Sequence, residues 1–191
     1  MFQHVTTLFS FIFAIALTHV FASISELLSA RDRVRFSGLH SLWMLNVLVA
    51  LLINWMSVAQ LSAVKHWSAG EILLQLSWVI PQYFACSLIS MSARDSELFD
   101  MRSFYERQRP AFFSAMVLLD AASMVVTFAD RNNLEGFKPG DWIIAELFVA
   151  PMLVAALLAG WARHVSLQWI AGCATLALEI WFFTTSYVMP S

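Results

Sequence analysis

The chain has 191 residues, of which 60% are hydrophobic and 13% charged, with a formal net charge of −2 and a mean hydropathy of +0.70. A soluble domain carries about a quarter charged residues, so a water-soluble fold is excluded. No basic tract interleaved with aromatics occurs, which argues against nucleic-acid binding. The two cysteines, Cys86 and Cys173, lie in apolar runs and can build neither a disulfide framework nor a CxxC motif.

A helix needs about 20 apolar residues to cross about 30 Å of hydrocarbon. Six runs reach that length, at about 5–28, 39–62, 70–93, 110–129, 141–162 and 165–188. They are too long and too uniformly apolar for barrel strands, and a helix satisfies its own backbone in lipid. The expected fold is therefore all-α: a polytopic membrane protein whose residues 1–191 form one bundle of six transmembrane helices with short loops.

In chain order, the opening MFQHVTTLFSFIFAIALTHVFA has no Lys or Arg before position 31. It lacks the basic n-region of a secretory signal and reads as the first transmembrane helix. His19, Ser23 and Glu26 share one of its faces by spacing. The second helix carries Asn46 and Asn54, with Ala50 between them and Ser57 beyond. In the third, Glu71, Gln75, Gln82 and Cys86 form a stripe, and Pro81 beside Gln82 predicts a kink and a candidate gate. The following stretch, SARDSELFDMRSFYERQRP, mixes charges with Leu98, Met101 and Tyr105 at helical spacing, and Arg102 and Glu106 pair at i, i+4. It reads first as a solvated connecting helix, and more sharply as a surface for a partner.

The fourth helix has Asp120, Ser123 and Thr127 on one face, and the fifth offers Glu146 and Pro151. In the sixth, Gln168, Gly172, Thr175 and Glu179 fall on a single unbroken face. The second and sixth helices, HSLWMLNVLVALLINW and HVSLQWIAGCATLALEIW, resemble one another weakly, which hints at a repeated hairpin. Composition alone produces such likeness between apolar helices.

Orientation follows from Lys and Arg in the loops. Arg31, Arg33, Arg35, Arg94, Arg102, Arg107, Arg109 and Arg163 lie in the odd-numbered connections, against Lys65, Arg131 and Lys138 in the even ones. The odd loops are expected to face the cytoplasm, with both termini outside an inner or plasma membrane.

At about 1.5 Å per residue, Asp120, Glu179 and Asn54 fall at one depth, slightly outward of mid-membrane, and Glu146 lies nearby. A carboxylate at a helix centre costs roughly 2.5–3.5 kcal/mol on insertion scales, and such groups face the bundle interior or a water-filled cavity. No Lys or Arg sits within a span to neutralise them. Asp120 and Glu179 must therefore be protonated, hydrogen-bonded, hydrated or partnered by a cation. The bland alternative is a protonated acid bridging two helices.

No cofactor or metal is expected. His19 is the one deep histidine, so paired haem ligands are not available, and a retinal Schiff base needs an intramembrane lysine that the spans lack. A soft metal site from His19, Cys86 and Cys173 is conceivable by depth, but packing explains these residues better. Trp67, Trp142 and Trp161 sit at span ends as interfacial anchors, while Trp55 and Trp181 follow the polar layer closely enough to line it. HExxH, GxSxG and Walker motifs are all missing, so an enzyme is disfavoured.

The expected function is a small channel or transporter, favoured as a homo-oligomer, with the lipid bilayer and a small cation or proton as its partners. Its pathway residues are Asp120, Glu179, Glu146, Asn54, Ser123, Thr127 and Thr175, with Pro81 and Gln82 as the kink. The alternatives are a structural or regulatory subunit of a larger membrane complex and, less favoured, an intramembrane lipid-handling enzyme.

Overall fold

The computed structural model describes residues 2–64, 67–91, 99–130, 141–162 and 164–185. Lys65, His66, Arg94, Leu98, Arg131, Lys138 and Arg163, which enter the charge and loop readings, lie outside the described residues, as does the side chain of Trp142. The described residues form six α-helices: α1 (Phe2–Ser29), α2 (Gly38–Ser57), α3 (Ala69–Ile89), α4 (Met101–Asp130), α5 (Asp141–Trp161) and α6 (Val165–Phe183). Five of them are long and apolar enough to cross a membrane, and α5 carries a further apolar stretch, Glu146–Trp161, among the described residues. The all-α membrane fold expected from the sequence is the fold observed.

Local chemistry explains where the helices begin and where they depart from the expected limits. A capping box starts α3: the Glu71 amide donates to Ser68 Oγ at 3.2 Å while the Glu71 carboxylate accepts from the Ser68 amide. The fourth helix starts at Met101 rather than near 110, because Asp100 Oδ1 accepts from the amides of Arg102 (2.9 Å) and Ser103 (3.2 Å). Arg102 Nε then pairs with Glu106 Oε1 at 2.9 Å, and the helix runs on through Pro110. From Met101 onward the charged stretch is thus the first turns of α4 and not a separate connecting helix, while its residues 92–98 lie outside the described residues. The Ser103 amide above all holds the Asp100 carboxyl below the ordinary carboxylate range; slight burial opposes this, while the Arg102 amide and the Arg35 charge reinforce it.

Two short strands pair in parallel, β1 (Val34–Arg35) and β2 (Phe99–Asp100), with Val34 opposite Phe99 and Arg35 opposite Asp100. They join the first and third connections. Arg109 Nη1 donates to the Ala162 carbonyl at 3.2 Å, which brings the end of α5 to the same end of the bundle. The three odd-numbered connections therefore share one end, called here the basic end. The second helix gives way at Ser57 to a 3-10 turn over Val58–Ala63 instead of running to 62. The third ends at Ile89, where the Met91 amide donates to Ser23 Oγ of α1 at 2.8 Å.

The helices neighbour one another in the order α1, α3, α4, α5, α6, α2, and α2 closes back on α1 and α3. Toward the basic end, aromatic rings of α2 and α4 pack against one another. Trp43 meets Phe113 edge-on at 4.7 Å, Phe113 meets Phe112 at 4.9 Å, and all three are buried. On the outside, Phe11 (66%), Leu73 (68%) and Leu147 (68%) are widely exposed. An apolar coat of this extent suits hydrocarbon and not water.

Candidate functional site

A cavity of about 280 Å³ lies between α2, α3, α4, α5 and α6, in the half of the bundle away from the basic end. Asp120, Ser123 and Thr127 of α4, Thr175 and Glu179 of α6, and Asn54 of α2 all line it. Six of the residues singled out from spacing and depth are thus brought together. The reason is periodicity: 120, 123 and 127 recur on one face of α4, and 168, 172, 175 and 179 on one face of α6. All four of those α6 residues are buried.

Asp120 and Glu179 face the same cavity from neighbouring sides of the bundle. Asp120 Oδ2 and Glu179 Oε2 are each buried and receive no hydrogen bond from the protein. Among the described residues that line the cavity there is no Lys, Arg or His. The hydroxyls around the carboxylates do not relieve them, because each gives its proton to its own helix. Ser123 Oγ donates to the Leu119 carbonyl at 2.9 Å, Thr127 Oγ1 to the Ser123 carbonyl at 2.9 Å, and Thr175 Oγ1 to the Ala171 carbonyl at 2.9 Å. Asn54 commits Nδ2 to Gln82 Oε1 at 2.7 Å. The hydroxyl oxygens keep their lone pairs, so the polar lining is built chiefly of acceptors.

Other expected residues sit elsewhere. Glu146 does not line the cavity. Phe148, Val149 and Met152 present α5 to it, and at about 100° per residue Glu146 falls on another face. Glu146 Oε2 is nonetheless buried without a hydrogen bond. Pro81 lies inside α3, which continues unbroken to Ile89, and does not line the cavity; Gln82 acts behind it, fixing Asn54 and donating Nε2 to Cys86 Sγ at 3.6 Å. Trp55 and Trp181 face outward, and Trp78 is the tryptophan that lines the cavity, its Nε1 donating to Gln75 Oε1 at 3.0 Å. The Gln75 and Trp78 spacing of i, i+3 beside the polar stripe was the available signal. On α1, Ser23 is buried while His19 is exposed and meets the Tyr83 hydroxyl at 3.4 Å, so that stripe does not act as one unit.

Cys86 is buried on α3 and Cys173 exposed on α6. Among the described residues no group of three His, Cys, Asp or Glu side chains is placed to hold a metal ion. No known family model, characterised protein or solved structure matches the chain.

Proposed function

We propose that the chain is a small membrane transporter that binds a cation or proton at Asp120 and Glu179 and carries it across the bilayer. One observation carries this reading: two buried carboxylates share a cavity whose hydroxyls have turned their protons away. Such a lining repels anions and offers a cation oxygen ligands without any resident positive charge to displace. A carrier is favoured over an open channel because the packed ring cluster of Trp43, Phe112 and Phe113 stands between the cavity and the basic end. With the basic loops on the cytoplasmic side of a plasma or inner membrane, as their charge favours, the cavity occupies the outer half and both termini lie outside. Assembly of several copies is part of the proposal, since a bundle this small gains from symmetric association.

Flux into proteoliposomes tests it. Asp120→Asn and Glu179→Gln, each eluting as the folded protein on size exclusion, are expected to reduce proton or monovalent-cation flux at least about tenfold, a loss of about 1.4 kcal/mol or more in the limiting step. Wild-type flux in both variants would sink the proposal.

The Asn54–Gln82 bond favours a second reading, in which the polar groups tie helices together within a larger membrane complex. A chain that supports no flux alone but copurifies with a stoichiometric membrane partner would favour it.

A further inference from the structure

A second cavity, of about 580 Å³, opens at the basic end where α2, α4 and α6 begin. Arg35, Arg102 and Arg109 line it together with Asp100 and Glu106. The two acids are engaged: Asp100 Oδ2 lies 3.6 Å from Arg35 Nη1, and Glu106 Oε1 2.9 Å from Arg102 Nε. Arg109 has no acidic partner among the described residues. Its Nη1 reaches the Ala162 carbonyl, while its Nε is buried without any acceptor. The same carbonyl accepts Gln168 Nε2 at 2.9 Å, and Gln168 Oε1 accepts the Tyr105 hydroxyl at 3.0 Å, so three helices hold the guanidinium in place. Arg109 lines the cavity, and its remaining terminal guanidinium N–H groups are the donors that an acceptor entering it would meet.

Two helix starts add to this. Neither Ser37 at the head of α2 nor His164 at the head of α6 makes a side-chain capping bond, whereas Asp100 occupies that role for α4. Ser37, Gly38 and Val165 border the cavity, so the open first-turn amides of α2 and α6 bring two positive helix ends to it. Phe36 and Trp169 stand exposed at its rim, the level at which aromatic side chains meet lipid headgroups.

We infer that this basic-end cavity binds a phosphate-bearing anion, with Arg109, Arg35 and the first-turn amides of α2 and α6 donating to its oxygens. Helix starts and arginines together suit phosphate oxygens. The phosphate is carried either on an anionic phospholipid headgroup, which the depth of the cavity suits, or by a free anion. The inference stands whether or not the carboxylate cavity moves cations.

Native mass spectrometry of the full chain, released from micelles holding equal amounts of phosphatidylglycerol and phosphatidylcholine, tests the lipid arm. Thermal unfolding in inorganic phosphate against chloride at matched ionic strength tests the free anion. Preferential retention of phosphatidylglycerol, weakened about fivefold by each of Arg109→Gln and Arg35→Gln, supports a headgroup site. A melting temperature raised by phosphate and not by chloride, and lost in the same variants, supports a free-phosphate site. Arg35 is exposed, so its variant answers even if Arg109→Gln misfolds. Equal retention of both lipids with no phosphate response overturns the inference, as does binding unchanged in every variant that folds.

Discussion

Asn54 of α2 donates its side-chain amide to Gln82 of α3 at 2.7 Å, and Gln82, fully buried, donates a hydrogen bond through Nε2 to Cys86 Sγ. The bond commits one of the two Asn54 amide N–H groups at the edge of the cavity that Asp120 and Glu179 line. A double-mutant cycle of Asn54→Ala and Gln82→Ala, read by thermal or denaturant unfolding in micelles, should return a coupling of about 0.6 kcal/mol, with about 1.7 as the ceiling for such bonds in membranes. Additive single effects would mean that the two amides act independently.

Gly172 marks a close approach of α2 and α6. A Cβ there would lie 2.7 Å from Leu42 Cδ2 and 3.3 Å from Trp43 Cε2. Leu42 can swing aside, but the buried Trp43 ring has nowhere to go. Gly172→Val should therefore destabilise the protein by about 1–3 kcal/mol through overpacking, with Gly172→Ala milder. A variant as stable as wild type would show that the two helices are not in tight contact.

The cap on α4 predicts a pH effect. Asp100 has a folded pKa below its unfolded value, so the unfolded chain binds the extra proton first and stability rises with pH between the two values. The contribution is fully present above the unfolded value of about 3.9 and is lost as pH falls through the lower folded one. The protection factors of the Arg102 and Ser103 amides, taken relative to intrinsic exchange at each pH, should fall on acidification through that window. In Asp100→Asn the acid-dependent part of this change should vanish, and an unaltered acid response would contradict the cap.

Topology is open to direct labelling. In a background of Cys86→Ala and Cys173→Ser, an impermeant maleimide should reach Asp32→Cys only from the cytoplasmic side and Gly70→Cys only from the other. Asp32 is exposed at the basic end, and a Cβ at Gly70 meets nothing closer than Ser68 Oγ at 3.7 Å. The reverse pattern would invert the proposed orientation without touching the fold.

Much of this architecture is legible in the residues themselves because in a bilayer two periodicities dominate: span length and the 3.6-residue face. The buried stripe of α6 from Gln168 to Glu179 follows from spacing alone, and so does the set of Asp120, Ser123 and Thr127. Other features depend on rotation and capping, which hydropathy does not encode. Glu146 does not line the cavity; Trp78, not Trp55 or Trp181, borders it; and α4 starts nine residues early because one aspartate caps it. The basic-end cavity is not legible in the sequence, where its arginines read as loop charge. Only the fold brings Arg109 beside Gln168 and the heads of two helices.

The two-residue ladder at Val34 and Phe99 has a consequence for distance along the membrane normal. It ties together positions 65 apart just before α2 and α4 set out in the same direction. Asn54 and Asp120 are 66 apart, so the ladder gives both a common origin, and both arrive at the same cavity within about one helical turn of each other. A single alanine inserted after Pro110 would leave the ladder whole, yet it would advance Asp120 by about 1.5 Å and turn it by about 100°. That carboxylate would then leave Glu179 without its companion, although no residue of the cavity had been substituted.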